Sequence, residues 1–171
     1  MKAAFFRLAV ITAGLLFAGA AQADSWQRLE RELNTPQLLH PEWGSFIQAL
    51  AYVESSNNPR AHNRNEDAIG LYQIRPSYWS DAYGDAHPWS DAFDPTMAEG
   101  AIINYFTRYA PEALYSGDWY TLARLHNAGP RWQRYNNHQY ALKVIRRMQH
   151  TQQNESHRIH SRHDGIRNQL P

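Results

Sequence analysis

The sequence predicts a mainly α-helical single domain with a loop-rich region in its middle. Three observations carry that prediction. Apolar residues recur at helical spacing in several separate stretches. Helix starts are marked by Asp before Pro, or Asp before an aromatic run, and ends by Gly or Pro. Between Ser55 and Asp94 the period is lost among polar, Tyr, Trp and Pro residues.

The elements follow in order. Ser25 to Asn34 reads as a short amphipathic helix, with Asp24 as its cap and Trp26, Leu29 and Leu33 on one face. Thr35-Pro36 breaks it. Pro41 suits a first helical position. Phe46, Leu50 and Val53 then share one face up to Glu54, which lies in the last turn at the edge of that face. Ser55 to Asn65 is a polar loop. Ile69 to Ile74 fits either a strand or a helix start. Arg75 to Asp94 reads as an irregular loop carrying short turns. Asp94-Pro95 opens a helix to Tyr109 with Ala98, Ala101, Ile102 and Tyr105 inward. Asp118 caps another, carrying Trp119, Leu122 and Leu125 and closed by Gly129-Pro130. A last helix from Asn137 to His150 buries Tyr140, Ala141, Val144, Ile145 and Met148.

The two ends read differently from the domain. Lys2 and Arg7 precede an apolar run from Leu8 to Ala21, and Ala21-Gln22-Ala23 offers a small-x-small cleavage site. Residues 1–23 are therefore predicted to be a signal peptide, cleaved after Ala23 into the periplasm or medium. The plain alternative is an uncleaved anchor, which the shortness of the run disfavours. The mature chain is expected to have no membrane span. Residues 24–150 form the expected domain. Residues 151–171 turn polar and read as a disordered tail. Its His157, His160 and His163 are expected to be solvated rather than to chelate a metal.

Composition narrows the function. The 171-residue chain has no cysteine, so disulfides and thiolate metal sites are excluded. Hydrophobic residues make up 43%, enough for an apolar core. Lys and Arg number 17 against 16 Asp and Glu, which leaves no basic stripe of the kind a nucleic-acid binder shows. Six Trp and ten Tyr can pack a core or stack on flat ligand faces. Trp79, Tyr83 and Trp89 in the loop region are open to either use. Asn63, Asn65 and Asp67 alternate as in a calcium loop, but Ala68 holds the place of its glycine and the bidentate Glu is missing. No His-Glu-x-x-His, Gly-x-Ser-x-Gly or phosphate-loop pattern occurs, and no cofactor is expected.

Taken alone, Glu54 is either a solvated helix-edge carboxylate or an acid whose proton is held by apolar neighbours and the negative helix end. Its surroundings in sequence decide between them. Val53-Glu54-Ser55-Ser56, Asn58-Pro59-x-Ala61, Gly70-Leu71-Tyr72-Gln73-Ile74 and Leu125-His126-Asn127-Ala128-Gly129-Pro130 come in order, followed by Gln139-Tyr140-Ala141. This series resembles the soluble lytic transglycosylase family, whose pattern is Glu-Ser, Gly-Leu-Met-Gln and Tyr-Asn-Ala-Gly-Pro with a late helix Tyr. Each motif alone is weak, and four in order are strong. The likeness spans about Phe46 to Ile145.

The resemblance implies a lysozyme-like fold, with a helical body, a loop-rich lobe and a glycan cleft between them. It implies cleavage of the MurNAc–GlcNAc β-1,4 bond of peptidoglycan with 1,6-anhydroMurNAc formation. Glu54 would be acid and then base, oriented by Ser55. Gln73, Asn127 and Tyr140 would line the cleft, and Ser55 with Tyr72 and His126 at the neighbouring motif positions would join them in binding substrate there. A buried acid is what that chemistry needs, because the leaving oxygen must be protonated near neutral pH.

Two positions depart from the pattern: Tyr72 replaces Met and His126 replaces Tyr. Both bring the chain nearer to invertebrate-type lysozymes, with Tyr72-Gln73-Ile74 before Tyr78-Trp79 and Ala123-Arg124-Leu125-His126-Asn127 before Gly129-Pro130. Those enzymes hydrolyse with a Glu and an Asp that follows in the next loop, where Glu66 and Asp67 stand here. Asp67 is the expected second carboxylate, its plain alternative being a solvated loop Asp. Hydrolysis is thus the second enzymatic reading. A non-catalytic wall-binding module is the reading of another class. It gives no reason for Glu54, Ser55, Gln73 and Asn127 to occur together.

Overall fold

A computed structural model describes residues 40–167, with side-chain surroundings through residue 154. The expected signal peptide and the expected helix from Ser25 to Asn34 lie outside those residues. The fold is mainly helical, as predicted.

Helix α1 spans Trp43–Ser55 and buries Trp43, Phe46, Ile47, Ala49, Leu50 and Ala51. Pro41 lies in the turn just before it rather than at its first position. Its end is set by Ser56, which turns left-handed at φ 55°. The amides of Ser56 and Asn57 then return to the carbonyls of Tyr52 and Ala51, satisfying groups a helix end leaves open.

The loop-rich lobe follows. Strand β1, His62–Asn63, pairs antiparallel with β2, Ala68–Ile69, in the register His62 to Ile69 and Asn63 to Ala68. Ile69 and Ile74 exchange both backbone bonds, so the chain from 69 to 74 folds back on itself. That resolves the open choice at Ile69–Ile74: the strand ends at Ile69 and a tight loop follows. Gly70 makes the loop possible. It has φ +79°, and a Cβ there would lie 2.1 Å from the carbonyl oxygen of Ala92.

Where the sequence predicts an irregular loop from Arg75 to Asp94, the structure holds helix α2, Pro76–Tyr83, and a 3-10 turn at Trp89–Phe93. Two turns rich in Tyr, Ser and Asp give little helical period to read. Pro76 at the start was the available signal.

The helices beginning at Pro95, Trp119 and His138 match their predicted starts, and the short one beginning at Pro111 is not among the predicted elements. In α3, Pro95–Tyr109, the Asp94 carboxylate accepts from the amides of Thr96 and Met97. A short α4, Pro111–Ser116, precedes α5, Trp119–Ala128, where Asp118 caps Thr121. A 3-10 turn at Trp132–Arg134 leads into α6, His138–Arg167. Helix α6 packs along α1 and α5, and α2 lies against α3.

Helix α6 differs from prediction at its far end, running on through Thr151 where a disordered tail is expected. The residues beyond His150 are polar, with Gln and Arg among them as good helix formers, and a polar helix has no apolar period to reveal it. Gln152 reaches α1, its amide donating to the Glu42 carboxylate at 3.1 Å.

The core is aromatic at its centre. Phe46 stacks on Trp119 at 5.0 Å, and Trp43 meets Phe106 edge-on at 6.5 Å. Burying side chains of this size contributes on the order of 1.5–3 kcal/mol each. The indoles at this centre are satisfied by carboxylates: Trp43 donates to Glu99 and Trp119 to Glu42. Among the described residues no helix is long and apolar enough to cross a membrane.

Candidate active site

A cleft of about 490 Å³ opens between the helical body and the loop-rich lobe. Glu54 lies on its wall, brought there by the last turn of α1. Its side chain is 16% exposed, enough to reach a ligand and too little for full hydration. The Tyr140 hydroxyl, from α6, donates to its Oε1. His126 Nε2, from α5, stands 3.8 Å from the same oxygen. Burial raises the Glu54 pKa to about 7, against the opposing pull of the Tyr140 bond and the Arg75 charge. The recorded polar neighbours of the carboxyl thus come from distant elements, not from the apolar residues of its own helix.

His126 is buried and neutral: burial lowers its pKa to about 4. Its Nε2 faces the Tyr72 carbonyl at 3.1 Å and its Nδ1 the Tyr78 hydroxyl at 3.4 Å. Tyr78 lies flat on Tyr105, with ring centroids 3.7 Å apart, and both line the cleft. Asn127 lines it too, its Oδ1 accepting from Asn137 at 3.3 Å. Buried Arg124 ties this corner together. It donates to Asn137 and to the carbonyls of Trp132 and Tyr135, and sits over the Trp132 ring.

From the lobe side, Gln73 faces the cleft with φ +51°, and its side-chain amide donates to the Gly70 carbonyl. Ser55 does not line the cleft. Its hydroxyl lies 2.8 Å from the Leu71 carbonyl and 3.1 Å from that of Ala51, and its oxygen accepts from the Asn58 amide. It fastens the end of α1 to the loop that carries Gln73. Tyr72 is buried in the body, and it reaches the site only through its carbonyl on His126.

Asp67 is not brought to the cleft wall. It is exposed in the β1–β2 turn with φ +49°. Its neighbour Glu66 is on that wall, paired with Arg75 at 2.5 Å. Consecutive residues of a tight turn point different ways, and spacing along the chain cannot choose between them. Trp79, Tyr83 and Trp89 resolve toward packing: each donates to a backbone carbonyl, of His87, Met97 and Ile74 respectively. The cleft aromatics are Tyr78 and Tyr105 instead. Asp81 also lines it.

The arrangement is a protonatable carboxyl on the wall of an open, polar and aromatic cleft. It can deliver a proton to a bound ligand near neutral pH. The Transglycosylase SLT domain family matches residues 40–154, which includes every one of these side chains. The chain belongs to that family. Among curated proteins it is similar to Lysozyme 1 of Crassostrea virginica, 30% identical over 88 residues, or 50% of this chain and 48% of the relative. The chain thus spans about half the length of that relative. No solved structure matches.

Within this SLT domain, the sequence motifs name Glu54, Gln73, His126 and Asn127 on the cleft and Tyr140 behind the acid. Tyr78, Tyr105, Arg75, Glu66 and Asp81 escaped them. Tyr78 and Arg124 had a signal, since both fall inside the stretches shared with invertebrate-type lysozymes. Asp81 and Tyr105 had none.

Proposed function

We propose that this chain is a peptidoglycan lytic transglycosylase that cleaves the MurNAc–GlcNAc β-1,4 bond. The observation that carries the reading is Glu54: a carboxyl on the cleft wall with its pKa raised to about 7 by burial. Such a group holds its proton at the pH where a glycosidic oxygen must receive one. As base, the resulting carboxylate takes the proton of the substrate's own C6 hydroxyl, which attacks C1 and closes the 1,6-anhydro ring. An intramolecular nucleophile has a high effective concentration, and one carboxyl suffices. Gln73, Asn127, Tyr78 and Tyr105 would hold the glycan, and Tyr140 would hold the acid.

Hydrolysis is the second reading, favoured by Glu66 on the same cleft wall. A second carboxylate can hold an attacking water or stabilise positive charge at the sugar. Product analysis separates the two. The anhydro product is lighter than the hydrolytic one by one water and resists borohydride. Transglycosylation is expected to give anhydro ends throughout, with Glu66→Gln still active. Wholly reducible products together with a dead Glu66→Gln would establish a lysozyme instead. Asp67→Asn is expected to be silent. Release of dye from labelled cell walls separates either enzyme from a wall-binding module.

The same reading includes export. The first 23 residues would be removed after Ala23 to leave a periplasmic or secreted enzyme. N-terminal sequencing of the soluble protein should begin at Asp24, and an intact Met1 would overturn it.

A further inference from the structure

His126 stands where the SLT pattern has Tyr, and the acid mechanism leaves it without a task. Its ring sits under the cleft, 3.8 Å from Glu54 and edge-on to Tyr78 and Phe106. The groups around it come from every neighbouring element. Glu54 faces it from α1, the Tyr72 carbonyl and the Arg75 charge from the loop, and Tyr78 from α2. Tyr105 of α3 stacks behind Tyr78, and Tyr140 of α6 meets it through Glu54.

These partners decide the proton positions. A carbonyl only accepts, so Nε2 must carry hydrogen to bond Tyr72. In a neutral ring Nδ1 is then the acceptor, and the Tyr78 hydroxyl supplies its proton. Charging the ring would force the Tyr78 hydroxyl to turn from donor to acceptor and would place a cation in a fully buried position. Both polar contacts recorded for the Glu54 carboxyl, Tyr140 and His126, fall on Oε1. Oε1 accepts the Tyr140 hydrogen and has the His126 ring packed 3.8 Å away, its Nε2 hydrogen turned to Tyr72, which makes that oxygen a poor place for a further hydrogen.

We propose that His126 is a positioning residue for the acid: held as the Nε2–H tautomer between Tyr72 and Tyr78, it closes the Oε1 side of Glu54 with Tyr140, so that Oε2 carries the transferable proton toward the cleft. The close approach of His126 to Glu54 is then a neutral pair and not a salt bridge. The inference rests on the glycan-cleaving reading of this site and assigns the atom that does the transfer.

Ring ¹⁵N NMR of the full mature chain tests the tautomer directly. From about pH 5.5 to pH 8, Nε2 should be pyrrole-like and Nδ1 pyridine-like. An imidazolium or an Nδ1–H ring in that range overturns the proposal. Kinetics on cell walls test the positioning. His126→Phe removes both nitrogens, whereas His126→Gln keeps an N–H near the place of Nε2. For His126→Phe, kcat should fall roughly tenfold or more with KM within about twofold. Its alkaline limb should move to higher pH, because an apolar ring replaces the polar edge of the imidazole beside the buried carboxyl. His126→Gln should restore the limb. A limb unmoved in His126→Phe, or His126→Gln no better than it, also overturns the proposal. If His126→Phe does not fold, the ring spectrum and His126→Gln against wild type decide. Wild-type cleavage is measured alongside, since an inactive wild type sinks the glycan-cleaving reading, and the ring spectrum still decides the tautomer.

Discussion

At the residue scale the proposed chemistry rests on one carboxyl, Glu54, whose hold on its proton is strengthened by burial. Glu54→Gln keeps the shape and loses the proton, so cleavage should drop by at least about 10²-fold while folding and glycan binding persist. Residual activity near wild type in a dye-release assay would end the assignment. The raised pKa also sets a stability trend. The group is near 4.5 unfolded and about 7 folded. Its contribution is full below the unfolded value and is lost as pH rises through the folded one, because the buried carboxylate must then be tolerated. Glu54→Gln does not titrate. Its stability should equal or trail the wild type at pH 4.5 and exceed it at pH 8, the gap shifting by on the order of 3 kcal/mol between the two as read by urea unfolding. A gap that stays constant with pH would show that the folded pKa is not raised. Tyr140→Phe removes a bond that favours the carboxylate, so its rate profile should extend to higher pH.

At the element scale the site depends on how the end of α1 is joined to the loop after β2. Ser55 fastens the helix to Leu71, and Gly70 lets that loop pass the 3-10 turn at Ala92. Gly70→Ala places a methyl group against a backbone carbonyl in a left-handed conformation. It should cost roughly 3 kcal/mol in urea unfolding and displace Gln73 enough to lower turnover. A stability change below about 1 kcal/mol would mean the loop relaxes freely. On the opposite wall Arg124 plays the corresponding part, holding Asn137 and hence Asn127. Its guanidinium serves several acceptors in one plane, a geometry Lys cannot reproduce.

At the scale of the whole molecule, α6 closes the body against α1 and α5, and its length matters only as far as it touches them. Gln152 is the farthest described contact, on Glu42, which also receives the Trp119 indole. Cutting after Asn154 should leave activity and melting temperature nearly unchanged. Cutting after His150 removes a hydrogen bond to a charged acceptor and should cost about 1–3 kcal/mol with turnover kept. Equal effects from the two cuts would show that Gln152 contributes nothing, and a large loss on the first would show that the polar stretch beyond it docks.

The sequence by itself determined the helices that have a full apolar period or a chemical cap, such as α1, α3 with Asp94 and α5 with Asp118, because those signals are local. It also pointed to Glu54 and three further residues that line the cleft, through motifs short enough to be read in a row. Only the tertiary structure decided which side chains surround Glu54, since Tyr140 and His126 arrive from helices far along the chain. It put Glu66 and not Asp67 on the cleft wall, because a one-residue step in a turn changes direction without changing spacing. It moved Tyr72 from the cleft into the core and left its carbonyl to hold His126. It found α2, too short and too polar for a period, and carried α6 past His150. Burial, proton position and facing are properties of elements packed together, and a linear pattern records only the residues that make such packing possible.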